Sequence, residues 1–418
     1  MKSVLLGVAL AAVSSLAVAA AESWPQWRGP SRDGRTPPAR WPDRVDEMHL
    51  KSRWRVKLGP SYSGPIVAED RVFTTETRDK QAEVVRAYDR ATGRELWTKE
   101  WEGAMSVPFF AKSNGDWIRS TPAWDGETLF VAGMRDVLVA LDGKTGEVRW
   151  RLDFVKELGT PLPQFGFVCS PLVDGDAVYV QAGASVAKVD KKAGKVLWRA
   201  LKDDGGMWGS AFSSPVIATL AGERQLVVQT RQDLAGVELA TGKVLWSTPV
   251  EAFRGMNILT PLPVSSNRVF TSTYGGKTVG FDITRQDTGF AVKPAWTFKA
   301  QGNMTSPVLV GSDVYLLLRN QRGLCIDAVT GQERWTTSEG YGKYWSLVGN
   351  GDRLLALDDR GLLLLIQANP AKLEILDQRK VGDNTWAHLA VAGPEVYIRE
   401  LNALVAYDWR RPTESAGK

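Results

Sequence analysis

An eleven-residue pattern that ends in tryptophan recurs along the chain and constrains its fold more than any other feature. AYDRATGRELW ends at Trp97, ALDGKTGEVRW at Trp150, KVDKKAGKVLW at Trp198, GVELATGKVLW at Trp246 and CIDAVTGQERW at Trp335, and a looser copy, GFDITRQDTGFAVKPAW, ends at Trp296. Each copy predicts a strand, a tight turn that contains glycine and a second strand. Repeats spaced by roughly 40–50 residues are typical of a propeller or a solenoid.

A short opening step precedes each hairpin and leads into a strand rich in Val, Tyr, Phe and Leu. The openings are Ser63-Gly64-Pro65, Ser120-Thr121-Pro122, Cys169-Ser170-Pro171, Ser213-Ser214-Pro215, Leu259-Thr260-Pro261 and Thr305-Ser306-Pro307, with degenerate copies at Trp345-Ser346-Leu347 and Trp386-Ala387-His388. Proline fits the first residue of a strand because it cannot donate to the ladder. Eight openings predict eight units, each of four strands.

The two ends of the repeat region predict how the ring closes. The last unit runs out after residues 403–408, whereas residues 52–58, which contain Trp54, form an outer strand without a blade. Pairing these two segments completes an eighth blade and removes an open sheet edge. The sequence therefore predicts an all-β fold, an eight-bladed β-propeller of four-stranded antiparallel blades over residues 52–410. Its docking tryptophans, buried between adjacent blades, are Trp54, Trp97, Trp150, Trp198, Trp246, Trp296 and Trp335.

The N-terminal residues have the composition of a secretory signal. Lys2 precedes an apolar run, and small residues at Ala17, Ala19 and Ala21 resemble a cleavage site. The apolar run is short for a membrane span of about 20 residues, and no cysteine follows it to form a lipobox. We expect a signal peptide over residues 1–21, an N-terminal extension over 22–51, a C-terminal tail over 411–418, and a periplasmic or secreted protein without a transmembrane segment.

The charge pattern argues against a nucleic-acid partner. The net charge is only +5, and basic residues stand mostly in turns beside acidic ones rather than in runs. We expect a monomer.

Cys169 and Cys325 fall in blades three apart, too far for the Cα separation of about 7 Å that a disulfide permits, so both are expected to be buried free thiols.

The pattern A-x-D-x-x-T-G-x-x-x-W resembles the tryptophan-docking motifs of the quinoprotein (PQQ) propeller superfamily over about residues 50–410. The segment WPQWRGP, residues 24–30, followed by Arg32-Asp33-Gly34, also resembles the N-terminal segment of secreted bacterial PQQ-like repeat proteins. The resemblance implies the eight-bladed fold. It does not imply one function, because the superfamily contains PQQ dehydrogenases and also the outer-membrane assembly lipoprotein BamB, which binds no quinone.

Resemblance to the dehydrogenases would imply a pair of adjacent disulfide-linked cysteines, a Ca²⁺ site and an aspartate base. This chain has no Cys-Cys pair, and no matching set of Glu, Asn and Asp supplies the roughly six to eight oxygens that Ca²⁺ takes. Its two histidines, His49 and His388, lie at opposite ends of the chain, which argues against a metal cluster or a Ser-His pair. We expect no cofactor, no metal and no catalytic residues. The alternative is an oxidoreductase that uses PQQ with Ca²⁺, or another enzyme in the same pocket.

The linkers from the outer strand of one blade to the inner strand of the next are long and should emerge on one face. They are rich in aromatic, amide and basic side chains, which are candidates for a ligand site at the mouth of the pore. The candidates are Arg119, Gln164, Phe167, Trp208, Phe212, Arg254, Asn257, Asn303, Tyr344, Trp345, Asn384, Trp386 and His388.

Two interpretations of these aromatics remain open: they fill the top of the channel, or they form a recognition surface. On the second, the chain is a non-catalytic binding or scaffold protein of the BamB-like branch, and this face takes a protein, peptide or saccharide ligand.

Overall fold

The computed structural model describes residues 22–203 and 210–410. The predicted signal peptide, the predicted C-terminal tail and Trp208 lie outside the described residues. The described chain forms eight four-stranded antiparallel sheets, and the inner strands of neighbouring sheets contact one another around a central channel. The fold is an eight-bladed β-propeller, as the sequence predicts.

Blades 1 to 4 are each built from four consecutive strands that run from the channel outward. Blade 1 contains β2 to β5: Ile66–Val67, Arg71–Arg78, Ala82–Asp89 and Glu95–Glu102. Blade 2 contains β6 to β9: Ala123–Trp124, Thr128–Gly133, Val137–Asp142 and Val148–Asp153. Blade 3 contains β10 to β13: Leu172–Asp174, Ala177–Gln181, Val186–Asp190 and Val196–Ala200. Blade 4 contains β14 to β17: Val216–Leu220, Glu223–Gln229, Asp233–Glu238 and Val244–Pro249.

Blades 5 to 7 repeat this order, and blade 8 takes its outer strand from the N-terminal region. Blade 5 contains β18 to β21: Leu262–Ser265, Arg268–Ser272, Thr278–Gln286 and Gly289–Phe298. Blade 6 contains β22 to β25: Val308–Val310, Asp313–Leu317, Arg322–Asp327 and Glu333–Gly340. Blade 7 contains β26 to β29: Trp345–Asn350, Arg353–Asp358, Leu362–Gln367 and Glu374–Lys380. Blade 8 contains β30 to β32, Ala390–Ala392, Glu395–Glu400 and Ala403–Trp409, together with β1, Leu50–Lys57.

Strand β1 closes the ring by pairing antiparallel with β32. Trp54 lies opposite Ala406 and Lys57 opposite Ala403, with a bulge between Ser52 and Trp54. The strand begins at Leu50, two residues before the predicted segment, because Leu50 pairs with Trp409. The sheet that joins the two ends of the chain therefore has no free outer edge at β32.

Helical structure in the described ranges is confined to short linker segments. An α-helix spans Phe154–Leu158, and 3₁₀ turns span Phe109–Asn114 and Phe253–Gly255. Asp153 caps the α-helix by accepting from the Lys156 amide, and Gly159 ends it in the left-handed conformation. None of the helices in the described ranges has the length and apolar character needed to span a membrane.

Tryptophans join neighbouring blades at the hairpin turns. The indole N–H of Trp97 donates to the carbonyl of Gly143 in the next blade at 3.0 Å. Gly146 in that turn has a φ of 76°, and a Cβ there would lie 2.6 Å from the Trp97 ring. The turn thus requires glycine for its conformation and for the approach of the ring. The same bond to a main-chain carbonyl of the next blade is made by Trp54, Trp150, Trp198, Trp296 and Trp335.

Trp246 departs from the predicted docking pattern. Its indole N–H donates at 2.6 Å to Oε1 of Gln225 in its own blade. The hairpin of blade 5 that would receive it is extended, with its turn at Gln286–Gly289 instead of a short Thr-Gly turn. The Trp246 ring still packs between the blades, against Phe281 and Ile283.

A ring of hydroxyl groups links the heads of the inner strands and explains the Ser/Thr residues of the openings. Thr121 Oγ1 accepts from the Gly64 amide of the preceding blade at 2.9 Å, and Ser170 Oγ accepts from the Thr121 amide at 3.0 Å. Equivalent bonds between adjacent blades use Ser214, Thr305, Ser306 and Ser346 as acceptors. The hydroxyls satisfy main-chain N–H groups that face the channel instead of a neighbouring strand.

Candidate binding site at the mouth of the channel

Residues 24–36, which we call the N-terminal plug, run inside the ring of inner strands. Trp24 forms a short antiparallel bridge with Val67, with N–O distances of 2.8 and 3.0 Å. At its other end the plug exchanges main-chain bonds with Gly349 through Gly34 and Thr36. The blades that it contacts by main-chain hydrogen bonds are blades 1, 2 and 7, at Val67, Trp124 and Gly349. This part of the N-terminal extension is thus built into the folded ring.

Arg32 ties the plug to blades 3 and 4. Its guanidinium donates to the carbonyls of Pro171 at 2.7 Å, Ser170 at 3.0 Å and Pro215 at 2.9 Å. These carbonyls lie at the strand heads, where proline interrupts the ladder, and the side chain is 3% exposed. Burial lowers the Arg32 pKa to about 9. The plug arginine therefore satisfies the main-chain carbonyls at the opening prolines of both blades.

Arg28 and Trp27 tie the plug to blades 5, 6 and 8. Arg28 donates to the carbonyls of Pro307 and Asp33, and burial lowers its pKa to about 10. The Trp27 indole N–H donates to Thr260 Oγ1 at 3.0 Å, and its ring meets His388 edge-on with centroids 5.0 Å apart. All eight blades therefore contact the plug.

A cavity of about 720 Å³ lies above the plug, at the heads of the inner strands. Trp27 reaches it from below, and loops between blades form its walls. Pro30 and Ser31 line a separate recess along the inner strands of blades 3 and 4. The plug thus stands between two recesses and gives the mouth cavity a floor.

Six of the predicted site residues lie together in the wall of this cavity. They are Arg119, Phe212, Asn303, Tyr344, Asn384 and Trp386. They come from loops of different blades, so the ring brings together side chains that are up to 267 positions apart in the sequence.

Six other predicted residues do not line the cavity. Gln164 is exposed, and Arg254 is exposed with its guanidinium over the Phe253 ring. Phe167 packs on Phe154 in the core, and Trp345 is buried in the core between blades 6 and 7. Asn257 and His388 are buried in structural roles, Asn257 through a 2.8 Å bond to the Thr230 carbonyl and His388 beneath the plug. The remaining candidate, Trp208, lies outside the described residues.

His388 is held neutral by its surroundings. Burial and the nearby Arg28 charge lower its pKa to about 3. Its Nδ1 lies 2.8 Å from the Leu389 carbonyl, so Nδ1 carries the proton, and its ring stacks on Trp24 at 6.4 Å. The neutral, enclosed imidazole therefore packs against the tryptophans of the plug and does not line the cavity.

Several cavity residues were absent from the predicted set. Trp27 belongs to the plug, Tyr62 precedes the first opening, and Tyr274 and Met304 lie in the short linkers of blades 5 and 6. Tyr62 and Met304 each lie immediately before an opening, and that position is a signal the sequence does carry. Trp27 has no such signal, because its placement depends on the whole plug.

The aromatic wall is ordered by ring contacts. Trp386 stacks on Tyr344 with centroids 6.3 Å apart and an interplanar angle of 11°, and Tyr62 contacts the same indole at 6.2 Å. On the other side, Phe165 meets Phe212 at 5.6 Å. Flat apolar faces that are held in place by their neighbours offer a ligand contact area at low entropic cost.

Arg119 is the basic group set deepest in the wall. Its Nε donates to the Trp117 carbonyl at 3.3 Å and its Nη2 to the Gly115 carbonyl at 3.0 Å. Gly115 has a φ of 78°, and a Cβ there would lie 2.3 Å from the Trp117 indole nitrogen. Burial outweighs the effects of Tyr62 and Asp116 and lowers the Arg119 pKa to about 10. The guanidinium is therefore charged at neutral pH and fixed by its own loop.

The cavity residues do not fit PQQ with Ca²⁺. Asp359 is the one carboxylate among the described lining residues, and its Oδ1 already accepts from the Lys343 amide at 2.6 Å. Across the described ranges, no group of three or more His, Cys, Asp or Glu side chains is placed to hold a metal ion. Cys169 and Cys325 are buried free thiols in different blades. The donor set for a calcium-bound quinone is therefore missing from the described site.

Relatives of this chain include outer membrane protein assembly factors. The outer membrane protein assembly factor BamB of Moranella endobia is 22% identical over 358 residues, which cover 83% of this chain and 85% of that protein. BamB of Shewanella oneidensis is 23% identical over 264 residues, covering 60% of this chain and 61% of that protein.

Solved structures share the fold at low identity. BamB from Moraxella catarrhalis has a TM-score of 0.63 and 16% identity, covering 87% of this chain and 98% of that one. A europium-containing methanol dehydrogenase has a TM-score of 0.52 and 13% identity, covering 90% of this chain and 89% of that one. These structures establish a shared propeller and no more.

A family model decides the branch. The model described as outer membrane protein assembly factor BamB matches residues 80–337, which is more than half of the chain. The chain belongs to the outer membrane protein assembly factor BamB family.

Proposed function

We propose that this protein is a non-catalytic scaffold of the bacterial cell envelope that holds a segment of a partner protein in the mouth cavity. The observation that carries the proposal is the cavity itself, about 720 Å³ in volume and floored by Trp27 of the plug. A recess of this size, lined by aromatic faces with a few polar groups, suits a short peptide segment.

The arrangement of the plug supports binding rather than transport or catalysis. Its contacts with every blade give the cavity a fixed floor, so the loops present a preorganised surface. The relatives are named as assembly factors of outer membrane proteins, and a protein ligand is the class that this kinship favours. We extend the proposal to a periplasmic location reached after cleavage near Ala21.

Site-specific crosslinking in cells tests the proposal. Phe212, half-buried in the cavity wall, is replaced by the photocrosslinker p-benzoylphenylalanine. The matched control places the same group at Phe290, which is also half-buried but lies on the outer strand β21. We expect protein adducts at position 212 that the 290 variant lacks.

Three outcomes count against the proposal. Equal adducts at both positions would exclude the mouth cavity as the specific binding site. The absence of any adduct at position 212 would exclude a protein ligand there. A stoichiometric quinone absorption band after incubation of the purified protein with PQQ and Ca²⁺ would replace the scaffold with the oxidoreductase alternative.

A further inference from the structure

Three arginines lie along the channel, and among the described residues none of them forms a salt bridge with a carboxylate. Arg32 and Arg28 are buried in the plug, and Arg119 stands above them in the cavity wall. Their hydrogen bonds go mainly to main-chain carbonyls, and within residues 22–203 and 210–410 no carboxylate lies within 4.0 Å of any of the three guanidinium groups. Two Arg28 nitrogens, Nε and Nη1, have no hydrogen-bond partner in this part of the chain. The core of the ring therefore carries positive charge that no described carboxylate neutralises by direct contact.

The cavity wall adds to this excess. Lys112 and Lys343 line it together with Arg119, against the single described carboxylate of Asp359. That carboxylate already accepts from main-chain amides of the loop before β26. Charges inside protein are screened far less than exposed ones, so the field of the plug arginines extends into the cavity. The mouth is electropositive at its base and apolar along its sides.

One hydrogen-bond donor of Arg119 is available to a ligand. Its bonds to Trp117 and Gly115 use Nε and Nη2, which leaves Nη1 outside the loop's own hydrogen bonds. Asn303 and Asn384 supply amide groups in the same wall. A carboxylate placed here would receive a charge-assisted hydrogen bond in a setting that excludes much of the solvent.

We infer that the mouth cavity recognises a carboxylate on an extended partner polypeptide, bound by Arg119 and attracted by the plug arginines, with neighbouring apolar side chains on the aromatic wall. This rests on the proposed scaffold function and adds the chemistry of the segment that is held. The electrostatic part makes the affinity fall with salt, because part of the attraction comes from charges beyond direct contact.

Fluorescence polarisation with three synthetic peptides tests the inference. The first is fluorescein-labelled Gly-Phe-Glu-Gly-Phe-Glu-Gly amide, the second replaces both glutamates by glutamine, and the third is the glutamine peptide with a free C-terminal carboxylate. We expect the glutamate peptide to bind about 10- to 100-fold more tightly than the glutamine amide, the gain typical of a charged hydrogen bond. Binding of the third peptide alone would assign the carboxylate to a chain terminus instead of a side chain.

Matched arginine variants locate the effect. Arg119→Gln should remove the preference for the glutamate peptide, Arg119→Lys should restore part of it, and Arg254→Gln, an exposed arginine outside the cavity, should leave it unchanged. Circular dichroism melting checks that each variant folds.

Two results overturn the inference. In the first, the glutamine amide binds as well as the glutamate peptide. The scaffold proposal then stands, and recognition of a carboxylate is excluded. In the second, none of the peptides binds, while the crosslinks at position 212 still decide the scaffold proposal separately.

Discussion

Trp27 and Thr260, which are 233 positions apart in the sequence, are joined by a 3.0 Å hydrogen bond from the indole Nε1 to the hydroxyl oxygen. The bond attaches the N-terminal plug to the head of the inner strand of blade 5. It places the tryptophan under the cavity and uses a hydroxyl of the opening steps. The floor of the site and the framework of the fold therefore share the same residues.

Arg32→Met should lower the free energy of unfolding by about 2–4 kcal/mol, because three buried carbonyls lose their donors. Urea denaturation followed by tryptophan fluorescence measures the loss. Arg44→Met is the control: Arg44 is 61% exposed and should change stability by less than about 0.5 kcal/mol. Equal midpoints for the two variants would show that the plug does not stabilise the ring.

Gly146→Ala should destabilise the protein more than Gly126→Ala. Both glycines have positive φ, 76° and 99°, so each alanine carries a strain of about 1–2 kcal/mol. Only at Gly146 does the added Cβ meet the Trp97 ring, whereas nothing lies within 4 Å at Gly126. Thermal melting of the two variants compares them, and similar melting temperatures would contradict a tight ring contact at the turn.

Asp136 should make the protein less stable as the pH rises. Its side chain is buried and accepts from the Gly183 amide at 2.9 Å, and burial raises its pKa from 3.8 to about 7. The fold thus binds this proton more tightly than the unfolded chain does, and stability falls between about pH 4 and 7, by up to about 4 kcal/mol. Asp136→Asn keeps an acceptor and tolerates the φ of 58°.

Urea midpoints at pH 5 and pH 8 check the Asp136 prediction. The wild-type protein should lose more stability between these two values than the asparagine variant does. An identical loss in both proteins would exclude Asp136 as the group responsible.

His388 should act in the opposite direction. Its pKa is lowered from 6.5 to about 3, so its contribution is complete above pH 6.5 and is lost as the pH falls towards 3. At pH 5 the loss is about 2 kcal/mol. His388→Phe keeps an aromatic ring beside Trp24 and Trp27 and should weaken the dependence on acid. Denaturation midpoints at pH 5 and 7.5 measure the difference, and an unchanged acid dependence in the variant would count against this assignment.

Cys169 and Cys325 should resist thiol reagents in the native protein. Both are buried free thiols, and burial raises their pKa values to about 11 and about 12. Since the thiolate is the reactive form, alkylation should be slow until the chain unfolds. Mass spectrometry should find no label on the native protein and two labels after denaturation without reductant. A bridge between the two would contradict their places in blades 3 and 6.

The blades were predictable because each hairpin is local: the acidic residue, glycine and tryptophan of one repeat lie within eleven positions of one another. The plug was not predictable in this way. Arg28 and Arg32 bind main-chain carbonyls, which exist at every residue and leave no mark in a sequence. His388 was expected at the mouth for the same reason: the plug encloses it, and the sequence did not predict where the plug lies.

Among the mouth residues, loop position predicted which side chains are near the axis but not which way they point. Arg119 and Trp386 line the cavity, whereas Arg254, in a linker of the same kind, has a φ of 55° and lies outside. Asn257, three residues later, is turned into the core by its bond to Thr230. Backbone turns of this kind depend on neighbouring loops more than on the local sequence.

The plug and β1 are synthesised early, yet some of their partners, Thr260, Pro307, Gly349 and Ala406, are synthesised much later. The N-terminal segment can meet blades 1 to 4 early, but its bonds to blades 5 to 8 have to wait until those later parts of the chain are synthesised. Contacts between residues so distant in sequence slow folding, because the entropy of closing large loops is lost before the contacts form. The ring therefore cannot close until its last blade has been synthesised, and its closure is a late event in folding.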